Sequence, residues 1–199
     1  ADSLRDLLTS RPVMLFFLFY MGASMANFGV TQFSVAAFEN MEGGSRAAGV
    51  VALTAYQVAT LLLVLPGGIL ADRTVRYDAI LIIGFSVSAL MVFLAGTNLL
   101  PFWLVVICLA VGGAMRGGAN ASRDVAVRHV ASHLPIGTVF GFVSTGFLVG
   151  QAVAGPIYGY LVDNSPPHII FYTSAAFSVL AMITLLFNSG TRRQPDAAE

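Results

Sequence analysis

Charged residues leave the sequence over five long stretches, 12–38, 47–71, 79–115, 129–162 and 164–191. A bilayer core takes about 20 apolar helical residues to cross. The third stretch is too long for one crossing, and Gly96-Thr97-Asn98 with Pro101 supplies turn chemistry in its middle. The pattern therefore predicts an all-α membrane protein, one domain over 1–199. Its six transmembrane helices are expected at about 12–38, 47–71, 78–97, 100–121, 137–162 and 168–188. Membrane strands are excluded, because the runs are too long and lack the alternation of a lipid-facing barrel.

Arginine placement orients these spans, since basic residues collect in the loops on the cytoplasmic side. One side receives Arg5, Arg11, Arg73, Arg76, Arg116, Arg123, Arg128, Arg192 and Arg193, and the other only Arg46. Nine against one places both termini in the cytoplasm and requires an even number of spans. Trp103, Tyr158, Tyr160 and Tyr172 then fall near the outer interface, where amphipathic rings belong. The first apolar run is too long for a signal-peptide core of about 7–15 residues. A start at Ala1 without methionine points to a fragment or a processed product.

Composition agrees. Hydrophobic types make up 57% and charged types 10% of 199 residues, against about 25% charged in soluble domains. Such a chain cannot cover its surface with polar groups, so the lipid bilayer is its first partner. Net charge is zero, which gives no field for nucleic acid. The single cysteine, Cys108, allows no internal disulfide and reads as a small core residue. All ten basic residues are arginine, so a retinal Schiff base or a lysine nucleophile is excluded.

The chain also repeats itself. Gly68-Ile69-Leu70-Ala71-Asp72 closes the second span and Gly159-Tyr160-Leu161-Val162-Asp163 the fifth, both G-x-L-x-D with a proline upstream, Pro66 and Pro156. By the arginine count one segment ends inside and the other outside. Two inverted three-helix repeats produce this pattern, which is common in secondary transporters.

The loop after the second span reads Gly68-Ile69-Leu70-Ala71-Asp72-Arg73-Thr74-Val75-Arg76-Tyr77. It resembles the signature G-x-x-x-D-R-x-G-R-R of the major facilitator superfamily. Gly68, Asp72, Arg73 and Arg76 match, while Val75 and Tyr77 replace a glycine and a basic residue. Arg116-Gly117-Gly118-Ala119-Asn120-Ala121-Ser122-Arg123-Asp124, followed by Gly137 to Gly146, resembles that superfamily's tenth-to-eleventh helix region. The eroded loop and this segment are similar to a C-terminal half. The resemblance covers Arg11 to Phe187 and implies half of the superfamily's fold. It also implies alternating-access transport of a small solute, with a second half supplied by another copy or a separate N-terminal half.

The resemblance further implies a gating network of Gly68, Asp72, Arg73, Arg76, Arg123, Asp124 and Arg128, latched in one conformation and broken in the other. A solvated positive-inside loop is the plainer alternative. From the residues themselves, Gly68 would admit a close helix neighbour and Asp72 would cap the third helix.

Gly146, Gly150, Gly155 and Gly159 form two G-x-x-x-G pairs on the fifth span, and Gly113 and Gly117 a third on the fourth. Small residues let helices pack tightly in lipid. Gly155-Pro156 is a candidate hinge, because proline removes a backbone hydrogen bond.

Intramembrane polar groups are costly and often functional. Asn27 and Thr31, with Gln57 and Gln151, are the candidate substrate contacts. Hydrogen bonding between helices is the alternative. Tyr56 and Gln32 are further polar positions in the first two spans. Arg116, within about two turns of the arginine-rich end, is expected to snorkel to the interface, with pairing to a substrate or Asp124 as the alternative. No acidic residue lies deep in a span, so a proton carrier would have to come from elsewhere. The histidines, His129, His133 and His168, sit in loops. No H-E-x-x-H or G-x-S-G site is present, which argues against an enzyme, a metal site or a cofactor. The expected location is a bacterial inner (plasma) membrane. Two other functional readings stay open: a six-span substrate-binding subunit of a larger uptake complex, and an inactive transporter fragment.

Overall fold

A helix that is apolar on every side rests only in lipid or inside a protein core. The computed structural model describes residues 9–41, 43–73, 77–130 and 135–191, without the side chains of residues 72, 77, 129, 130 and 188–191. It contains six helices long and apolar enough to cross a bilayer: Arg11–Asn40, Arg46–Ala71, Asp78–Ala95, Phe102–Arg128, Ile136–Asn164 and Ile169–Phe187. This is an all-α membrane architecture, with no strand among the described residues. The fourth helix runs further than its apolar stretch. It continues as one helix to Val130 and carries Arg116, Arg123 and Asp124 with it.

The second span lies on the fourth, and the fifth lies on the first. The third packs on the fourth, the sixth on the first, and the third and sixth on each other. Exchanging spans 1–3 with 4–6 maps these contacts onto themselves. Burial follows the same pairing. The third and sixth spans are each 39% buried, while the second and fifth are only 17% and 22%. The second helix of each repeat thus leaves its own unit and docks on the first helix of the other. The two repeats are interlocked, and the second and fifth spans keep the widest exposed faces.

Glycine makes the interlock possible. The second and fourth spans run parallel, with Gly113 against the backbone of Tyr56 and Gly117 against that of Thr60. A Cβ at either glycine would collide with those carbonyls. Further along, Gly67 meets Gly118. Gly68, the glycine singled out by its motif, has room for a Cβ at 3.8 Å from Ala121. On the other side of the bundle a Cβ on Gly146 would come within 2.7 Å of the Phe17 carbonyl, and one on Gly150 would strike Met21 and Ser24. The second pair on that helix behaves differently. Cβ atoms on Gly155 and Gly159 would meet nothing within 4 Å among the described residues. The helix also passes through the exposed Pro156 without interruption.

Two apolar clusters fill the bundle. Phe16, Phe19, Leu81, Phe85 and Val143 form the one nearer the arginine-rich end. Phe38, Val92, Leu109, Tyr158 and Phe171 form the other. Tyr158 is therefore no interfacial ring, as its position near the outer loop suggested. It is fully buried, shares a 2.9 Å hydrogen bond with Ser174 and stacks on Phe33. Trp103 and Tyr160 are exposed. Tyr158 and Ser174 press against Gly29, which leaves no room for a side chain there. At this point the first span changes from α-helix to a π-helical segment, Gly29–Phe33, before resuming as Ser34–Asn40.

The two sets of glycines should separate in mutation. Gly117→Ala should lower stability by about 1–3 kcal/mol, the usual cost of overpacking. Gly155→Ala should leave it unchanged or raise it, since alanine is the better helix former by about 1 kcal/mol. Thermal melting of both variants in lipid nanodiscs checks this. Equal losses would contradict the packing described.

Candidate functional site

Three helices turn polar positions toward one another at the same depth. The first span contributes Asn27 and Thr31, one turn apart. The second contributes Gln57 and Thr60. The fourth contributes Arg116, Asn120 and Arg123, spaced so that they share one helix face. Together they line a cavity of 370 Å³, within the usual range of about 300–1,000 Å³ for small-molecule sites.

Hydrogen bonds fix the near wall. Tyr56, buried, donates its hydroxyl to Asn27 Oδ1 at 3.2 Å and so ties the second span to the first. Thr31 donates to the Asn27 carbonyl at 2.9 Å. Thr60 donates to the Tyr56 carbonyl at 2.7 Å. The π-helical segment begins just past Asn27, and such segments often mark functional positions. Here Thr31 lies within it and lines the cavity.

Arg116 departs from expectation. The residue does not snorkel to the interface but is buried, at 6% exposure. It donates to the Ala23 carbonyl and sits over the Phe85 ring, 5.1 Å from its centroid. The glycines explain the inward course. Gly113 and Gly117 bring the fourth span onto the second, and the face that carries Arg116 is turned into the bundle. An arginine at the centre of a spanning helix costs about 2.5–3.5 kcal/mol on insertion scales.

Nearer the arginine-rich end, Arg123 and Asp124 form an ion pair at 3.1 Å. Tyr20 donates to the same Asp124 oxygen at 3.0 Å, and the Arg123 guanidinium lies 4.4 Å from the Tyr20 ring centroid. A second cavity of 340 Å³ opens here, lined by Tyr20, Arg123 and Ser144. It shares Arg123 and Phe147 with the first. The Tyr20–Arg123–Asp124 cluster therefore stands between the polar cavity and that end of the bundle.

The structure brings together some of the residues named from sequence and leaves others apart. Asn27, Thr31 and Gln57 line one cavity. Gln151, half-buried on the fifth span, is not among its lining residues. Of the proposed gating residues, Arg123 and Asp124 pair with each other, while Arg73 and Arg128 are exposed. Arg76 and the Asp72 side chain lie outside the described residues. Sequence reading did not place Asn120 and Arg123 in the cavity lining, and gave Arg116 a substrate contact only as the alternative to snorkelling. Their i, i+4, i+7 spacing was the available signal. Among the described residues no three His, Cys, Asp or Glu side chains cluster as a metal would require.

Residues 5–199 match the family model described as Major Facilitator Superfamily. One curated relative, the vacuolar membrane amino acid uptake transporter fnx2 of Schizosaccharomyces pombe, is 25% identical over 107 residues. That stretch is 54% of this chain and 18% of the relative, so the match spans less than a fifth of that protein.

Two substitutions distinguish structural from peripheral bonds here. Tyr56→Phe removes a buried hydrogen bond and should destabilise by about 0.5–1.5 kcal/mol. Asp124→Asn removes a half-exposed ion pair and should cost less than about 1 kcal/mol. Unfolding in nanodiscs measures both, and a larger loss at Asp124 than at Tyr56 would contradict this ranking.

Proposed function

This chain belongs to the Major Facilitator Superfamily, and from that premise we propose that it forms one half of a secondary transporter. The polar cavity is the solute site in this reading, and the Tyr20–Arg123–Asp124 cluster is part of the gate on the arginine-rich side. The observation that carries it is the convergence of polar side chains from the first, second and fourth spans on a single cavity within an otherwise apolar bundle.

A second half completes the cavity. The least-buried spans, the second and fifth, support this, because they offer faces that their own bundle does not cover. Gly155 and Gly159 lie on such a face, where an added Cβ would meet nothing within 4 Å among the described residues. The partner is either another copy or a separate N-terminal half, and access alternates between the two sides. Asp72, Arg73 and Arg76 would latch to the Arg123–Asp124 region in one state, and Gly155-Pro156 would supply bending in the fifth span. The arginine asymmetry supports cytoplasmic termini, in a bacterial inner membrane. The solute is small. An amino acid is one candidate, given the activity in the yeast relative's name.

Uptake of a panel of labelled solutes into vesicles tests this. Vesicles carry the chain alone or joined to a candidate second half, either a further copy or a separate six-span N-terminal half. Gradient-driven uptake is expected only with both halves. Asn27→Ala should weaken uptake about 5–10-fold, as for a lost hydrogen bond of about 1–1.4 kcal/mol. Asp72→Asn, at equal expression, should also lower it, and wild-type rates in Asp72→Asn would contradict the latch. Tight binding by the chain alone together with dependence on an ATPase would contradict the secondary-transporter reading.

A further inference from the structure

Arg116 is a buried cation with no acidic partner among the described residues. The ionisable groups that act on it are Tyr56, Arg123 and Tyr158, none of them a carboxylate. Among the described residues one of its N–H donors meets a protein acceptor, the Ala23 carbonyl. The guanidinium is therefore held in place on one side, by Ala23 and the Phe85 ring, and keeps further donors for whatever occupies the cavity it lines.

The neighbouring amides can donate as well. Asn27 has its carbonyl oxygen engaged by Tyr56, which leaves its amide N–H as the free end. Gln57 and Asn120 line the same cavity, and no hydrogen bond engages either amide among the described residues. Arg123 also lines the cavity, with its charge already paired to Asp124, which leaves Arg116 as the uncompensated cation of the lining among the described residues. A cavity lined by donors and positive charge, in a low-dielectric bundle, is complementary to an acceptor that carries negative charge. A planar guanidinium takes an oxyanion through paired N–H bonds.

We propose that the cavity binds the oxyanion group of its solute, a carboxylate or phosphate, on Arg116, with the amides of Asn27, Gln57 and Asn120 around it. This rests on the reading of the cavity as the solute site and narrows the solute class to small anions or zwitterions. Arg116 is then a binding residue whose buried charge is compensated by cargo.

The test is direct binding, which needs no flux and is therefore independent of whether transport is reconstituted. The chain in phosphatidylcholine nanodiscs is titrated calorimetrically with succinate, with inorganic phosphate and with uncharged 1,4-butanediol. At least one anion should bind saturably and the diol should not. Arg116→Gln should weaken anion binding by about 10–100-fold, the range for a hydrogen bond to a charged group. Arg116→Gln could also disturb folding, so Asn120→Asp serves as the second variant. It is nearly isosteric, lies one turn from Arg116 on the same face, and supplies an internal counter-charge. It should lower anion affinity while leaving the melting temperature within a few degrees of wild type. Equal affinity in wild type and both variants would place the anion on the rim arginines and overturn the proposal. So would binding of the diol as tight as that of the anions. A response to phosphatidylglycerol alone would assign Arg116 to a lipid headgroup and overturn it too. Anion binding abolished by the adjoining half would assign Arg116 to an ion pair between halves, with the same consequence.

Discussion

Everything in this bundle depends on backbone-to-backbone contact at glycine. In lipid no hydrophobic force drives one helix onto another, so association rests on close packing and hydrogen bonds. Gly113 and Gly117 let the fourth span lie against the carbonyls of Tyr56 and Thr60, and Gly146 and Gly150 let the fifth lie against Phe17 and Met21. These two contacts join the repeats by exchanging their second helices. Each second helix packs more extensively on the first helix of the other unit than on its own, so the two units are joined into one body.

The site is a consequence of the same contacts. Once the fourth span is drawn onto the second, its polar face meets Gln57 and Thr60 and approaches Asn27 and Thr31 on the first. The Tyr56–Asn27 bond then ties the first and second spans together at cavity depth. The charge of Arg116 is carried inward by helix packing, and Phe85 and Ala23 hold it there. At the rim, Arg123 serves both the cavity and the Tyr20–Asp124 cluster, so a change at either would be felt at the other.

The six-span architecture and the superfamily were readable from the chain because both rest on long-range patterns. Charge-free runs of span length have few alternative structures, and the Gly68–Tyr77 and Arg116–Asp124 segments are specific in their residue order. The site was only partly readable, because facing depends on the neighbour. Asn27, Thr31 and Gln57 could be chosen as polar residues in apolar spans, but the same rule also chose Gln151, which is not among the residues that line this cavity. Arg116 looked like an interfacial arginine because distance from the span end is visible in a sequence and helix rotation is not. Tyr158 shows the same ambiguity. A tyrosine near a span end is interfacial or buried according to whether a partner such as Ser174 awaits it. Nor does any local motif announce the π-helical segment at Gly29–Phe33, which sits where a packed tyrosine meets a glycine.

The central claim is that one face of the second span lines a polar cavity open to water while the rest of its exposed surface is covered by lipid or by the second half. Cysteine labelling measures this directly. In a Cys108→Ser background, Gln57→Cys and Val64→Cys place a thiol on the cavity face, and Leu62→Cys places one on the face that is 63% exposed but outside the cavity. The account predicts that a membrane-impermeant, water-soluble maleimide labels the first two in intact membranes from at least one side and leaves the third unlabelled. Labelling of Leu62→Cys with no labelling at positions 57 and 64 would contradict it.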